Sequence, residues 1–166
     1  MPIAKQKITP CLWFDNQAEE AANFYVSVFK NSKIGRITRY SEEGTEIHGG
    51  KPGSVLAIEF ELDGQPFSGL NGGPIFKFSE AISFQVPCDS QDEIEYYWTK
   101  LQEGGGHESD CGWLKDRFGL SWQIFPAALL EMLAHSDRQK ADRAMAAMLK
   151  MKKLDLPTLQ RAFDGK

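Results

Sequence analysis

The sequence predicts an α+β protein built from two successive modules of the same order, each a strand, a helix and then further strands. Three observations support this. Alternating apolar residues mark strands in both halves, and each half has one helix that begins at a capping sequence. Each of these helices also carries two adjacent aromatic residues, Phe24 and Tyr25 in one, Tyr97 and Trp98 in the other. This repetition indicates an internal duplication of roughly 70 residues.

The first module is predicted at about residues 5–72. Asn16 stands where an N-cap belongs, and Glu19 three positions later completes a capping box, so a helix is expected to begin here. The strand before it is apolar on both faces, which favours a central position in its sheet. The predicted elements are, in order, a strand at 8–14, a helix to about Lys30, a strand at 34–40, a mobile Gly-rich loop at 41–53, and strands at 54–62 and 66–70.

The second module is predicted at about residues 78–127. Ser90 and Glu93 form a second capping box. Residues 116–119 form a turn with glycine at its last position, between two runs rich in aromatic and β-favouring residues, and this pattern predicts a β-hairpin. The predicted elements are a strand at 81–86, a helix that ends at the glycines 104–106, and the hairpin at 111–126.

Two helices are predicted in a tail at about residues 128–166. Ser136 stands at the N-cap of the first, and Asp155 followed by Pro157 starts the second. A chain of 166 residues can bury one substantial core, so residues 1–166 are predicted to form a single domain.

Charge and composition narrow the function classes. The net charge of −4 argues against nucleic acid or an anionic membrane as a partner, because both require a basic surface. Cys11, Cys88 and Cys111 are widely spaced, with no C-x-x-C pair, as expected of reduced thiols. The N-terminus shows no signal-peptide core, and no apolar run reaches the length of a transmembrane helix. The sequence therefore predicts a cytoplasmic protein.

Several stretches resemble one known family. They are LNGGP at 70–74 with Phe76 and Phe78 after it, the strand AISFQVPC, the helix YYWTKLQEGG, the hairpin CGWLKDRFGLSWQIFP and the tail MAAMLKMKKLDLPTLQRAF. Together with the duplicated order they resemble the vicinal oxygen chelate superfamily, which includes glyoxalase I and bleomycin-resistance proteins. Within it, the chain is most similar to the PhnB-like branch, whose domain is also labelled 3-demethylubiquinone-9 3-methyltransferase.

The resemblance implies a glyoxalase/bleomycin resistance/dioxygenase-like fold. In this fold, paired βαβββ modules form a curved open sheet with helices outside and a cavity inside. It also implies a homodimer, sometimes with modules exchanged between chains, and a small organic molecule as the partner.

Metal-dependent members of this superfamily supply His or Glu from the first and last strands of each module. The corresponding positions here fall near Pro10 and Ser83 and at Gln123, where the metal-binding Glu would stand. Proline, serine and glutamine do not assemble a three-ligand site, so we expect no metal and no other cofactor.

A pocket with apolar walls and a few convergent amides and hydroxyls suits a small organic ligand. The alternative is that these polar groups satisfy one another inside a filled barrel. The candidate ligand-binding residues are Leu12, Ser83, Gln85, Ser121 and Gln123, with Trp13 and Trp113 at the margins.

Other reactive side chains have simpler interpretations. His48 is the one histidine placed to act as a general base, provided that its Gly-rich loop folds over the cavity. Glu59 and Glu61 fit a solvated strand face at least as well as a catalytic pair. Cys88 and Cys111 have no neighbouring His or Lys in the sequence to activate them, so they are interpreted as packed thiols.

The leading hypothesis is a metal-free, dimeric PhnB-like protein that binds a small organic molecule. Two alternatives stay open. One is an enzyme of the same fold, either a lyase or isomerase that uses the pocket amides, or a methyltransferase as the family label suggests. The other is a structural or regulatory dimer with a filled cavity.

Overall fold

The fold is described by a computed structural model for residues 6–166, which fall into two compact units that divide between Lys77 and Phe78. Residue 5, where the first module was predicted to begin, lies outside the described residues. No helix within the described part of the chain is both long and apolar enough to cross a membrane.

The first unit is one four-stranded sheet with a long helix packed on it. β1 pairs with β4 in parallel, and the other neighbours are antiparallel, in the order β1-β4-β3-β2. Its elements are β1 (Cys11–Phe14), α1 (Ala18–Val28), β2 (Lys33–Arg39), α2 (Thr45–His48), β3 (Val55–Leu62) and β4 (Gln65–Asn71).

The second unit repeats this arrangement and adds three helices. The strand order is β5-β8-β7-β6, again with one parallel pair, β5 with β8. Its elements are β5 (Ser83–Cys88), α3 (Gln91–Leu101), β6 (His107–Glu108), β7 (Trp113–Lys115), β8 (Ser121–Pro126), α4 (Ala128–Leu133), α5 (Arg138–Met148) and α6 (Leu156–Asp164). The predicted α+β class, with two βαβββ modules followed by C-terminal helices, is confirmed.

The first strand differs from its prediction. It begins at Cys11, not at residue 8, and lies at one end of its sheet order instead of in the middle. Pro10 has no N–H to donate to a ladder, although its carbonyl still accepts a hydrogen bond from the backbone of Ser68 (2.9 Å). Apolar residues on both faces therefore did not mark a central strand here.

The start of α1 is capped from a distant strand. Gln17, at the N-cap, makes no side-chain capping bond, so the predicted capping box of Asn16 and Glu19 is wrong. Instead Asn71, at the end of β4, accepts the backbone N–H of Ala18 (2.9 Å) and donates to the carbonyl of Val55 (3.1 Å). One buried amide thus links a helix to two strands. The helix also ends at Val28, two residues before the predicted end.

The Gly-rich segment 41–53 is more ordered in its backbone than predicted. It contains the short helix α2, which lies between Gly44 and Gly49, both in the left-handed region at φ 77° and 66°. The glycines permit these turns, because side chains disfavour that backbone conformation.

The capping predictions in the second unit have mixed outcomes. Ser90 accepts the N–H of Glu93 (3.2 Å), as predicted. Asp155 likewise caps α6, with Pro157 in its first turn. The tail contains three helices instead of two, and α5 is capped by Asp137 instead of Ser136. The Asp137 carboxylate accepts two backbone N–H groups, whereas a serine hydroxyl at a cap usually accepts one.

The β7–β8 hairpin is built around a buried carboxylate. Asp116 is 2% exposed, and its Oδ1 accepts the backbone N–H groups of Phe118 (2.9 Å) and Leu120 (3.1 Å). Its Oδ2 accepts the indole N–H of Trp122 (2.9 Å), which lies in β8. The turn and the strand after it are therefore held by one side chain. Gly119, at φ 88°, lets the turn close.

We expect Asp116→Ala to lower the free energy of unfolding by about 3 kcal/mol, because three donors lose a charged acceptor in a buried site. Urea denaturation followed by tryptophan fluorescence measures the change. Asp142→Ala is the control, since that carboxylate is 72% exposed and makes only a surface ion pair. Equal stability of the two variants would contradict this role for Asp116.

Candidate ligand-binding site

The predicted site residues fall in both units. Leu12 is 6% exposed and belongs to the buried core of the first unit. Trp13 is half-buried, and its indole N–H donates to the carbonyl of Gly73 (2.8 Å). The ring of Phe76 meets the Trp13 ring edge-on, with centroids 4.8 Å apart. Trp13 therefore presents a fixed aromatic surface, whereas Leu12 packs inside.

Two adjoining clefts lie in the first unit and share Arg39, Tyr40, His48 and Gly72. The smaller, of about 450 Å³, is lined by Trp13, Arg39, Tyr40, Ser41, Glu43, Ile47, His48, Leu56, Leu70 and Gly72. The larger, of about 720 Å³, is more polar and is lined by Asp15, Asn16, Glu19, Arg39, Tyr40, His48, Gly49, Gly50, Lys51, Ser54, Val55, Asn71, Gly72, Gly73 and Pro74.

Tyr40 and His48 form a stacked pair that borders both clefts. Their ring centroids are 4.6 Å apart, and the Tyr40 hydroxyl donates to the carbonyl of Asn71. The backbone N–H of Gly50 donates to Nδ1 of His48 (2.8 Å), so the neutral ring carries its proton on Nε2, which donates to the carbonyl of Glu43 (3.0 Å). Both ring nitrogens are thus used to fold the loop, which argues against His48 as a general base.

Sequence reasoning missed Arg39 and Tyr40. Arg39 is the last residue of β2, and Tyr40 follows it directly before the Gly-rich segment, where a strand meets a loop. Binding residues often occupy such positions, and this signal was present in the sequence.

The five other predicted residues lie in the second unit. The side-chain amide of Gln123 donates to the hydroxyl of Ser83 (2.7 Å). Gln85 and Trp113 both pair with Gln123 across the sheet, and these three residues help to line a cleft of about 170 Å³. The structure therefore brings the two glutamines, Ser83 and Trp113 together on one sheet face.

Ser121, the last of the five, is fully buried at 0% exposure. Within residues 6–166, its Oγ is the one buried side-chain nitrogen or oxygen that lacks a hydrogen-bond partner. A buried hydroxyl without a partner costs free energy, because it has given up its hydrogen bonds to water.

Comparison with known proteins identifies the family. The sequence model of the 3-demethylubiquinone-9 3-methyltransferase family matches residues 6–125. A PhnB protein from Bacillus cereus, which carries the same methyltransferase name, is 38% identical, with a TM-score of 0.63 over 72% of this chain and 99% of that chain. This chain belongs to the PhnB-like 3-demethylubiquinone-9 3-methyltransferase family. A search of curated proteins finds no match.

More distant structures share the fold of this PhnB-like protein. Protein PA1353 from Pseudomonas aeruginosa is 17% identical, with a TM-score of 0.57 over 74% of this chain and 98% of that chain. The fosfomycin resistance protein FosX from Mesorhizobium loti is 12% identical, with a TM-score of 0.54 over 80% of this chain and 99% of that chain. The predicted membership of the vicinal oxygen chelate superfamily and its glyoxalase-like fold is confirmed.

The Gly-rich stretch that begins at Asn71 in this PhnB-like protein serves packing. The N–H of Gly72 donates to the carbonyl of Phe14 (2.9 Å), and a side chain at Gly72 would overlap the Trp13 ring. No helix follows the stretch directly; β5 is the next element, so these glycines do not present a helix N-terminus to a cofactor.

The remaining charged candidates are paired on the strand surface. Glu59 binds Arg36 (2.5 Å) and Glu61 binds Lys33 (3.3 Å), each on the neighbouring strand β2. These contacts agree with the interpretation of a solvated strand face. Within the described residues, no three His, Cys, Asp or Glu side chains are grouped so that they could hold a metal ion.

Cys88 is a packed thiol with little nucleophilic character. Burial, together with the nearby carboxylates of Glu93 and Asp89, raises the pKa of Cys88 to about 12. The thiol therefore stays protonated at every pH below that value.

We expect iodoacetamide at pH 8 to alkylate Cys11, which is exposed, and to leave Cys88 unmodified in the folded protein. At that pH only about one Cys88 in ten thousand is a thiolate. Peptide mapping by mass spectrometry over a time course measures both sites in one sample. Alkylation of Cys88 as fast as Cys11 would contradict the raised pKa.

We expect Ser121→Ala to raise the free energy of unfolding by about 1 kcal/mol, because it removes a buried hydroxyl that has no partner. Ser83→Ala is the matched variant and should lower it by about 1 kcal/mol, since Gln123 then loses its acceptor. Urea denaturation measures both. A Ser121→Ala protein as destabilised as Ser83→Ala would show that the Ser121 hydroxyl has a stabilising partner.

Proposed function

We propose that this PhnB-like protein binds a small organic molecule in the first unit, in the cleft around Trp13. The observation that carries the proposal is the composition of that cleft. Leu56 and Leu70 give it an apolar floor, Trp13 and Tyr40 supply aromatic surface, and Arg39 supplies one cation. Its volume of about 450 Å³ falls in the usual range for small-molecule pockets, about 300–1,000 Å³.

The Gly-rich segment contributes an apolar side chain, Ile47, that the rest of the protein leaves largely exposed to water. Ile47, on α2, is 86% exposed although it lines the cleft. A ligand placed against Trp13 and Leu70 would remove part of this apolar surface from water, which favours binding. The ligand class that fits is a partly apolar molecule with an aromatic or planar group.

The predicted residues of the second unit remain a separate proposal. Gln85, Trp113 and Gln123 border a cleft of about 170 Å³, which suits a small polar group better than a whole ligand. A homodimer and a cytoplasmic location are also proposals, supported by the family membership and by the mild net charge of −4. Sedimentation velocity of the purified protein tests the dimer.

We expect Trp13→Ala to weaken the binding of an aromatic probe, 2-naphthol, by about tenfold, because the largest ring surface of the cleft is removed. Titration followed by saturation-transfer NMR measures the dissociation constant. Tyr96→Ala is the control, since that ring is exposed on α3, outside the candidate ligand-binding residues, and its removal should change the affinity less than about twofold. Thermal melts confirm that both variants are folded.

Two results would contradict the proposal. One is an equal loss of affinity in both variants, which would place the probe outside the Trp13 cleft. The other is the absence of any 2-naphthol binding to the wild-type protein at millimolar concentration.

A further inference from the structure

A row of polar residues crosses all four strands of the second sheet. The strand registers pair His107 with Lys115, Lys115 with Ser121, and Ser121 with Ser83. Directly paired residues point to the same face of a sheet, so these four side chains form one continuous polar row. A cation lies beside two hydroxyls in this row.

Ser121 and Lys115 do not satisfy each other. Ser121 is 0% exposed and its hydroxyl has no hydrogen-bond partner within the described residues. The Lys115 ammonium instead lies 2.5 Å from Oε1 of Glu80. The Ser121 hydroxyl thus has no partner, while the neighbouring Lys115 pairs with Glu80 and not with Ser121. This arrangement indicates that an acceptor able to bind both Ser121 and Lys115 is missing.

Glu80 is attached only loosely at this position. It belongs to a segment without helix or strand before β5, and its side chain is 63% exposed. The hydrogen bonds from the backbone N–H groups of Ala81 and Ile82 to the Ser79 hydroxyl and carbonyl are long, at 3.4 and 3.5 Å. Exposed ion pairs contribute little to the free energy of folding, so the Glu80 side chain can separate from Lys115 with a small loss of stability.

We propose that the second unit binds a small organic carboxylate at Lys115 and Ser121, and that the carboxylate of Glu80 holds this site in the unliganded protein. The incoming carboxylate replaces Glu80 on Lys115 and accepts a hydrogen bond from Ser121. A carboxylate is the proposed ligand group because Lys115 already binds the carboxylate of Glu80, which shows that the geometry at Lys115 suits a carboxylate.

Electrostatics support a carboxylate at this position. The pKa of Glu80 lies below its usual value, chiefly because Lys115 donates a hydrogen bond to it and next because its own backbone N–H does, with smaller contributions from the charges of Lys115 and His107. The side chain of Lys115 is only 26% exposed, so its contact with an anion is less screened by water than that of a fully exposed lysine.

The test uses benzoate as the probe, with benzamide as its neutral isostere and inorganic phosphate as a second anion. Isothermal titration calorimetry and NMR titration give the dissociation constants for the full chain. We expect benzoate to shift the amide resonances of β7 and β8 around Lys115 and Ser121, and benzamide to leave these resonances unchanged. Lys115→Gln should weaken benzoate binding by about tenfold or more, and Ser121→Ala by about threefold.

Glu80→Gln should have the opposite effect and tighten benzoate binding by about threefold, because the competing internal carboxylate is gone. Lys100→Gln and Glu103→Gln are the matched controls. These residues form an exposed ion pair in the same unit (2.9 Å), and their removal should leave the affinity unchanged. A merely structural role for Glu80 would not tighten binding.

Three outcomes would overturn the proposal. The first is no benzoate binding to either the wild type or the Glu80→Gln variant. The second is binding that Glu80→Gln and Lys115→Gln leave unchanged. The third is a preference for phosphate over benzoate, which would assign the site to a different anion. These outcomes are assigned from the resonances of β7 and β8 in the second unit, whereas the Trp13 cleft is tested separately with 2-naphthol, which carries no carboxylate.

Discussion

The carboxylate of Asp116 sets the geometry of the second unit, because a buried charge must be matched by donors close at hand. Its two oxygens accept two turn N–H groups and the indole of Trp122, and this fixes how β7 meets β8. Asn71 has the corresponding role in the first unit, where its amide joins the start of α1 to the ends of two strands. In each unit, a single buried polar side chain aligns the elements around it.

The candidate binding surfaces lie where loop residues complete the contacts or where a polar group lacks a partner. In the first unit, the stacked rings of Tyr40 and His48 border both clefts, and the Gly-rich segment holds His48 through the N–H of Gly50. In the second unit, the Ser121 hydroxyl has no hydrogen-bond partner within the described residues, and Lys115 forms an ion pair with the exposed carboxylate of Glu80. A stable scaffold with locally unsatisfied groups is typical of proteins that bind small molecules.

The sequence predicts the fold well where a signal is local. The Ser90 cap and the turn at 116–119 depend on neighbours within a few residues, and both agree with the structure, whereas β8 is buried on both of its faces and not on one alone. The cap of α1 was missed because its acceptor comes from Asn71, 53 positions along the chain. Periodicity showed which residues of β8 share a face, but it contained no information about Glu80, whose role depends on its long-range contact with Lys115.

The most direct test of the central claim, a small-molecule cleft around Trp13, is a crystallographic fragment screen of the purified protein. The account predicts that planar, partly apolar fragments occupy the cleft between Trp13, Leu70 and Tyr40, and that Ile47 moves onto them. A screen in which this cleft stays empty, while fragments collect elsewhere on the protein, would contradict it.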